Sequence, residues 1–323
     1  MPENNNIFLN RIPTKADITE AHERIKTVIN KTPVMTSSYI NSVAGAEIFF
    51  KCENFQKVGA FKFRGASNSV LSLEDEHLKG GVATHSSGNH AAALALAART
   101  KNIEAYIVMP KTAPEIKKKA VEGYGAKITF CEPTLEAREA SLSEIVKKTG
   151  ALFVHPYDNY TIIAGQATAA KELIEEIIDL DIITAPAGGG GLLSGTSLSV
   201  KYFAENCITI GSEPSGADDT FRSIRDNKIY PSVKPNTIAD GLLTSLSEKT
   251  FKIISENVNE IITVNDDEIK KAMRMVWERM KIIIEPSSAV PLAVIMNSKE
   301  KFKGKRVGLI ISGGNVDLEK LPF

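Results

Sequence analysis

The chain has 323 residues, 43% of them hydrophobic and 24% charged, which is the profile of a globular domain or two with a sizeable core. Its 39 Lys and Arg balance 39 Asp and Glu, so no overall field favours nucleic acid or an anionic membrane surface. No apolar run approaches the roughly 20 residues that span a bilayer, and the polar start, Met1-Pro2-Glu3-Asn4-Asn5-Asn6, predicts no signal peptide.

Short β-branched runs alternate with segments of helical period, the pattern of a parallel α/β sheet. Strands are predicted at 47–51, 105–109, 127–131, 152–155, 182–185, 208–211, 261–264 and 307–311. Helices are predicted at 90–99, 114–124, 135–148, 164–178 and 266–280, the last opened by Asn265 with Glu268 three residues on, a capping box. There is no solenoid repeat and no Pro- or Gly-rich linker, so two domains must exchange chain segments rather than follow one another. About a dozen residues after the last strand leave no expectation of an appended regulatory domain. Cys52, Cys131 and Cys207 have neither metal-ligand nor disulfide spacing and read as small hydrophobes in a reducing compartment. The expected location is the cytoplasm.

Glycine-containing loops follow several of these strands, where open α/β sheets bind ligands. Gly188-Gly189-Gly190-Gly191-Leu192 joins the strand at Ile182 to a helix running to about Asn206. Four glycines let several N–H groups converge, and a helix N-terminus adds its positive dipole end, so the loop suits a phosphate. A turn for close packing is the plainer alternative, and a dinucleotide site is weak because the spacing is not G-x-G-x-x-G.

In Gly59-Ala60-Phe61-Lys62-Phe63-Arg64-Gly65-Ala66, a lysine sits between two phenylalanines. Desolvation there would lower its pKa and expose a nucleophilic amine; alone, the segment reads as a strand lysine reaching solvent. Ser86-Ser87-Gly88-Asn89 offers donors suited to a carboxylate, or an ordinary helix cap. His85 and His90 show no credible metal spacing and read as structural. Ser312-Gly313-Gly314-Asn315 follows the last strand, with a hydroxyl placed for a ring nitrogen or for capping a turn.

Together these motifs resemble the tryptophan-synthase-β-like (fold type II) pyridoxal-phosphate (PLP) enzymes, and within them the serine racemase and short threonine/serine dehydratase branch. The resemblance runs from Ile18 to Asp317. It also takes in Lys51-Cys52-Glu53-Asn54-Phe55-Gln56, His155-Pro156, Ala164-Gly165-Gln166, Glu213-Pro214, Ala239-Asp240-Gly241 and Glu285-Pro286. It implies two parallel-sheet α/β domains with the cofactor between them: residues 1–72 and 158–323 as a large domain, residues 73–157 as a small mobile one.

It further implies Lys62 as the Schiff-base lysine with Phe61 beside the ring, Gly188 to Gly191 and Leu192 around the phosphate, Asn89 on the ring hydroxyl and Ser312 on the ring nitrogen. Ser86, Ser87, Gly88 and Asn89 would hold the substrate carboxylate. Arg138 matches a position associated with substrate binding or gating. Glu213, the Ala217 carbonyl and Asp219 match a site for magnesium, calcium or manganese; without the resemblance they read as an acidic helix start. A homodimer and an ATP or AMP effector are also implied, although Ala92 replaces a common glutamine and puts the effector contacts in doubt. Pro156-Tyr157 replaces Pro-Asn, so gating there should differ. The lysine segment also resembles fungal racemases and hydroxyaspartate dehydratases, which keeps a second substrate carboxylate open; the alternatives are serine racemase as the main activity, or threo-3-hydroxyaspartate dehydratase or aspartate racemase.

The implied chemistry is loss of the β-hydroxyl from L-serine or L-threonine, giving ammonia with pyruvate or 2-oxobutyrate, with Lys62 taking the Cα proton. A serine at the ring nitrogen makes the ring a weaker electron sink than an aspartate would, which favours elimination. Sulfhydrylases of the same fold usually carry different lysine and asparagine motifs, a dehydrogenase leaves Lys62 unexplained, and a non-catalytic PLP-binding protein has no need of Ser87 and Ser312 together. Racemisation requires a proton donor on the face opposite Lys62; the resemblance puts the Ser87 hydroxyl there, where dedicated dehydratases of the branch usually show alanine, so racemase activity is expected alongside dehydration. Substituting Ser87→Ala should therefore abolish D-serine formation while most of the elimination survives; equal loss of both products would leave Ser87 only a carboxylate ligand.

Overall fold

Each predicted strand becomes a strand of the computed structural model, which describes residues 7–86, 88–113 and 115–323. In chain order they are β1 (Val34–Met35), β2 (Glu47–Cys52), β3 (Val82–His85), β4 (Ala105–Pro110), β5 (Lys127–Cys131), β6 (Leu152–Phe153), β7 (Ile182–Pro186), β8 (Ile208–Pro214), β9 (Glu260–Val264) and β10 (Arg306–Ile311). They form a six-stranded sheet ordered β1-β2-β10-β7-β8-β9 and a four-stranded sheet ordered β5-β4-β3-β6. All neighbours are parallel except β1 and β2. The last strand, β10, lies between β2 and β7, so the larger sheet is sewn together by the two ends of the chain while the smaller sheet uses one continuous stretch.

The predicted strand at 152–155 stops at Phe153. Val154 still donates to the Ala83 carbonyl at 2.9 Å, but the His155 ring then closes a turn, its Nδ1 accepting the Asp158 N–H at 2.8 Å. The predicted helix at 164–178 starts earlier, at Tyr160, because Asn159 caps it through the N–H groups of Thr161 and Ile162. Its β-branched first turn hid that start. The helix Asp266–Met280 opens on the predicted box: Asn265 Oδ1 accepts the Glu268 N–H at 3.0 Å, and Glu268 Oε2 accepts the Asn265 N–H at 2.8 Å.

Lys62 opens a helix, Lys62–Leu71, where the plain reading placed a strand. Ala60 pairs once with Gly313, and Phe61 already has helical angles, so extended chain ends at Ala60, two residues before the lysine. This helix crosses Tyr160–Glu176 closely at Gly65 and Gly165. A Cβ on Gly165 would meet the Gly65 Cα at 2.7 Å, and one on Gly65 would collide with Gln166. Beside the crossing lies a buried charge cluster. Arg64 Nε donates to Glu53 at 2.7 Å, its Nη1 and Nη2 each to Glu172 at 2.8 Å, and Lys51 Nζ lies 2.8 Å from Glu172. Burial alone would raise the Glu172 pKa, but Arg64 and then Lys51 hold it down to about 2.

Cys52 and Cys131 are buried free thiols, and Cys207 is only partly covered. No described helix is long and apolar enough to cross a membrane.

Removing Arg64 leaves two buried carboxylates facing one lysine. Arg64→Ala should therefore cost roughly 3–5 kcal/mol of stability, the range for breaking a buried ion pair. Urea unfolding measures it, and a loss under about 1 kcal/mol, the scale of an exposed pair, would mean the cluster is solvated.

Candidate active site

The lysine loop and the final glycine loop are tied by their backbones. The Phe61 N–H donates to the Ser312 carbonyl at 2.9 Å, and the Gly314 N–H to the Gly59 carbonyl at 2.9 Å. Asn315 Nδ2 adds bonds to the Val58 carbonyl at 2.7 Å and to Asn89 Oδ1 at 2.9 Å. Phe61, Asn89 and Ser312, chosen from three separated segments, thus share one network at the carboxyl ends of β3 and β10, with Lys62 next to Phe61 in the chain.

Lys62 Nζ donates to the Pro156 carbonyl at 2.9 Å and lies 5.2 Å from the centre of the Phe61 ring. Burial lowers its pKa to about 8, against the opposing charge of Glu285. Glu285 is the residue that sequence reasoning quoted without a role. Its carboxylate accepts from Asn89 Nδ2 at 3.0 Å and from the Asn315 N–H at 3.2 Å. Burial, reinforced by the charge of Asp240, pushes its pKa up to about 7 against the Asn89 hydrogen bond. Its sequence signal was faint: a Glu-Pro pair reads as the start of a helix with proline in its first turn, which it also is.

The tetraglycine loop makes the other side. Gly190 has φ +84° and precedes the helix Gly191–Phe203, whose first turn no side chain caps. A Cβ at Gly190 would meet Leu246 at 2.7 Å and Thr250 at 2.8 Å, and one at Gly189 would collide with the Tyr157 ring. Leu192 is buried behind the loop. Tyr157 stands edge-on to His155 with ring centres 4.7 Å apart, so the segment after Pro156 covers both lysine and glycines.

On the facing wall, Ser86 donates its N–H to the Val108 carbonyl at 3.1 Å, and the Gly88 N–H reaches Ser86 Oγ at 3.4 Å. Ser87 lies outside the described residues. His90 is buried with Nε2 3.2 Å from the Val154 carbonyl, and burial holds its pKa well below the ordinary value. His85 stacks on Phe153, and Arg138 lies near enough for its charge to add to the burial that lowers the His85 pKa. Arg138 Nε is buried without a hydrogen-bond partner among the described residues.

The three positions predicted to hold a metal come together at the end of β8. Glu213 accepts the N–H groups of Thr220 and Phe221 at 2.9 and 2.8 Å, Ala217 ends a short turn, and Asp219 Oδ2 is buried with no partner among the described residues. Burial raises the pKa of Glu213 to about 8 and of Asp219 to about 6. Two inward carboxylates with one orphaned oxygen fit a hard cation. No cluster of three or more His, Cys, Asp or Glu suited to a metal occurs among the described residues.

A lowered lysine amine, a glycine cradle at an uncapped helix start and a hydroxyl at Ser312 fit a phosphate-bearing aldehyde. The comparisons agree, since the family described as pyridoxal-phosphate dependent enzyme matches residues 25–313. The chain belongs to that family. It is 50% identical over 312 residues to the β-hydroxyaspartate dehydratase of Paracoccus denitrificans, with 97% of this chain and 99% of the relative covered. It is 52% identical over 312 residues to the serine racemase of Dictyostelium discoideum, covering 95% and 96%. The crystal structure of Dictyostelium serine racemase superposes with a TM-score of 0.91, covering 94% of this chain and 99% of that one. The fold is that of fold type II PLP enzymes, as the resemblance implied.

Only a neutral amine attacks an aldehyde. Uptake of pyridoxal phosphate by the apoenzyme should therefore accelerate with pH and level off above about 8, followed by stopped-flow absorbance. A rate still climbing toward the ordinary lysine value of 10.5 would mean that Lys62 is solvated or is not the attachment point.

Proposed function

We propose that this enzyme removes the β-hydroxyl and amino groups of small L-3-hydroxy amino acids, serine and threonine among them, as an ammonia-lyase that also racemises serine. The observation that carries this reading is Lys62, whose amine is shifted by burial to about 8 and donates to the Pro156 carbonyl at 2.9 Å. Such an amine is free to move a proton near neutral pH. When bound, PLP supplies the aldehyde that joins the amino group and the ring that draws charge away from the α-carbon.

In this reading Lys62 takes the Cα proton from one face, and Ser87 returns one from the other when racemisation occurs. Ser86 to Asn89 orient the carboxylate, Gly188 to Leu192 hold the phosphate with backbone N–H groups, and Ser312 meets the ring nitrogen. Glu285 orients Asn89 through the bond at 3.0 Å. Residues 73–157 move as the small domain, closing the cleft through Asn89 on Glu285 and through Lys117, whose Nζ donates to Asp240 at 2.5 Å. Glu213, the Ala217 carbonyl and Asp219 bind magnesium or a similar cation, which keeps both carboxylates ionised. A homodimer and a nucleotide effector belong to the same reading and rest on the resemblance alone.

A second reading makes 3-hydroxyaspartate the preferred substrate. The unpartnered Nε of Arg138 favours it by offering a buried donor to a second carboxylate, and the relative at 50% identity is named for that substrate.

Purified holoenzyme should be incubated with L-serine, L-threonine and L-threo-3-hydroxyaspartate, with and without magnesium, while keto acid and D-amino acid are followed together. Keto acid from serine or threonine, with some D-serine and a gain on adding magnesium, is the expected result. Turnover of hydroxyaspartate alone would select the second reading, and no product from any of the three would overturn both.

A further inference from the structure

The turn that follows β6 holds a histidine whose second nitrogen none of the foregoing chemistry uses. His155 Nδ1 accepts the Asp158 N–H at 2.8 Å and the Tyr157 N–H at 3.3 Å. Backbone N–H groups can only donate, so Nδ1 carries no proton and the direction of both bonds is fixed. In a neutral imidazole the one ring proton then sits on Nε2. A half-turn of the ring would set a carbon against both N–H groups. The ring is also wedged in place, with Phe153 and Tyr157 edge-on to it at centre distances of 5.6 and 4.7 Å.

Near neutral pH the imidazole carries no charge. Burial, opposed by the charge of Asp158 and aided by His85, Lys62 and Lys249, lowers its pKa to about 4. Nδ1 and Nε2 lie on different edges of the ring, so the Nε2–H points away from the turn. It has no hydrogen-bond partner among the described residues. The carbonyl of the next residue, Pro156, receives the Lys62 amine at 2.9 Å, so imidazole and lysine border one space. A neutral imidazole gives up its proton only to strong base. It therefore acts there as a preorganised donor toward an oxygen that gains negative charge.

We propose that His155 is a catalytic residue for elimination, its Nε2–H donating a hydrogen bond to the substrate's β-oxygen as that oxygen departs. The proposal rests on the reading that this enzyme eliminates the β-hydroxyl of a 3-hydroxy amino acid. When the Cα–H bond breaks, its proton goes to Lys62 and its electron pair forms the new carbon–carbon double bond. The Cβ–O bond breaks with its pair left on oxygen, which takes the proton from Lys62 and departs as water. His155 keeps its own proton throughout. Racemisation breaks no bond to that oxygen, so the donor serves elimination alone.

The test compares holoenzyme variants on L-serine and on β-chloro-L-alanine, whose chloride leaves as a stable anion. His155→Asn keeps an acceptor near the place of Nδ1 and removes the donor, whereas His155→Gln does the reverse. His155→Asn should lower keto acid from L-serine about a hundredfold while pyruvate from β-chloro-L-alanine and D-serine from L-serine stay within about twofold, as expected for loss of one donor at a developing oxyanion. His155→Gln should restore part of the serine elimination. Parallel loss of all three products in His155→Asn, with no recovery in His155→Gln, makes the histidine a turn cap only and overturns the proposal, leaving the elimination reading standing. Should His155→Asn not fold, nitrogen resonances of wild-type holoenzyme with isotopically labelled histidine decide. A proton on Nε2 is expected, and one on Nδ1 instead leaves nothing to donate and overturns the proposal. Wild-type enzyme that forms no keto acid from L-serine, L-threonine or L-threo-3-hydroxyaspartate removes the elimination reading, and the proposal falls with it.

Discussion

Four buried charges organise this molecule. Lys51 on β2, Glu53 just after it, Arg64 on the helix Lys62–Leu71 and Glu172 on the helix Tyr160–Glu176 sum to zero net charge and are at most 4% exposed. Taking such groups out of water is expensive, and the interior tolerates them only when every donor and acceptor is met. That demand fixes where the two helices sit against β2. It also aims the lysine. Lys62 and Arg64 are two residues apart, so on a helix their side chains point about 200° apart. With Arg64 committed to Glu53 and Glu172, Lys62 faces the opposite way, toward the cleft.

The close helix crossing serves the same end. Gly65 and Gly165 let the helix backbones approach until a single Cβ would collide. The shorter helix is thus held by contact on one side of its axis and by ion pairs beside it. A lysine that forms a Schiff base, the role proposed for Lys62, must present one atom to a cofactor with little play. The position of Lys62 is set by buried groups on the far side of its helix.

Much of this was legible in the residues themselves. The β-branched runs gave the strands, because parallel strands buried on both faces are written as near-continuous apolar stretches. The tetraglycine loop announced itself by composition, and Asn265 with Glu268 by spacing. Three features did not read out. Lys62 looked like a strand residue because its helix begins only after a single bridge between Ala60 and Gly313, a contact 253 residues distant in sequence. Glu285 was masked by the proline that follows it. Its role depends on Asn89 and Asn315, which tertiary structure alone brings to it. The pairing of Ser288 with Ser312, their hydroxyl oxygens 2.9 Å apart, was invisible for the same reason: a serine in the first turn of a helix is ordinary until the residue beside it is known.

The wall facing the lysine decides what can enter. His85, Phe153, His155 and Tyr157 run as a ladder of rings with neighbouring centres 4.7–5.9 Å apart. Burial lowers the pKa of both histidines, that of His155 to about 4, so near neutral pH the ladder carries no charge. His155 Nδ1 is already spent on the turn at Asp158. Positive charge beside this wall comes from Lys62, from Lys249, which pairs with Asp158, and from Arg138, whose buried Nε has no partner among the described residues. A buried donor left unmet is costly, and the cost is relieved by an acceptor that arrives with the substrate. A hydroxyl or methyl side chain supplies little of that relief, whereas a second carboxylate supplies a full charge-assisted bond. In the proposed reading, the choice between serine and hydroxyaspartate turns on whether Arg138 reaches the cleft, and not on the lysine, the glycines or Ser312, to which that reading gives the same part with both substrates.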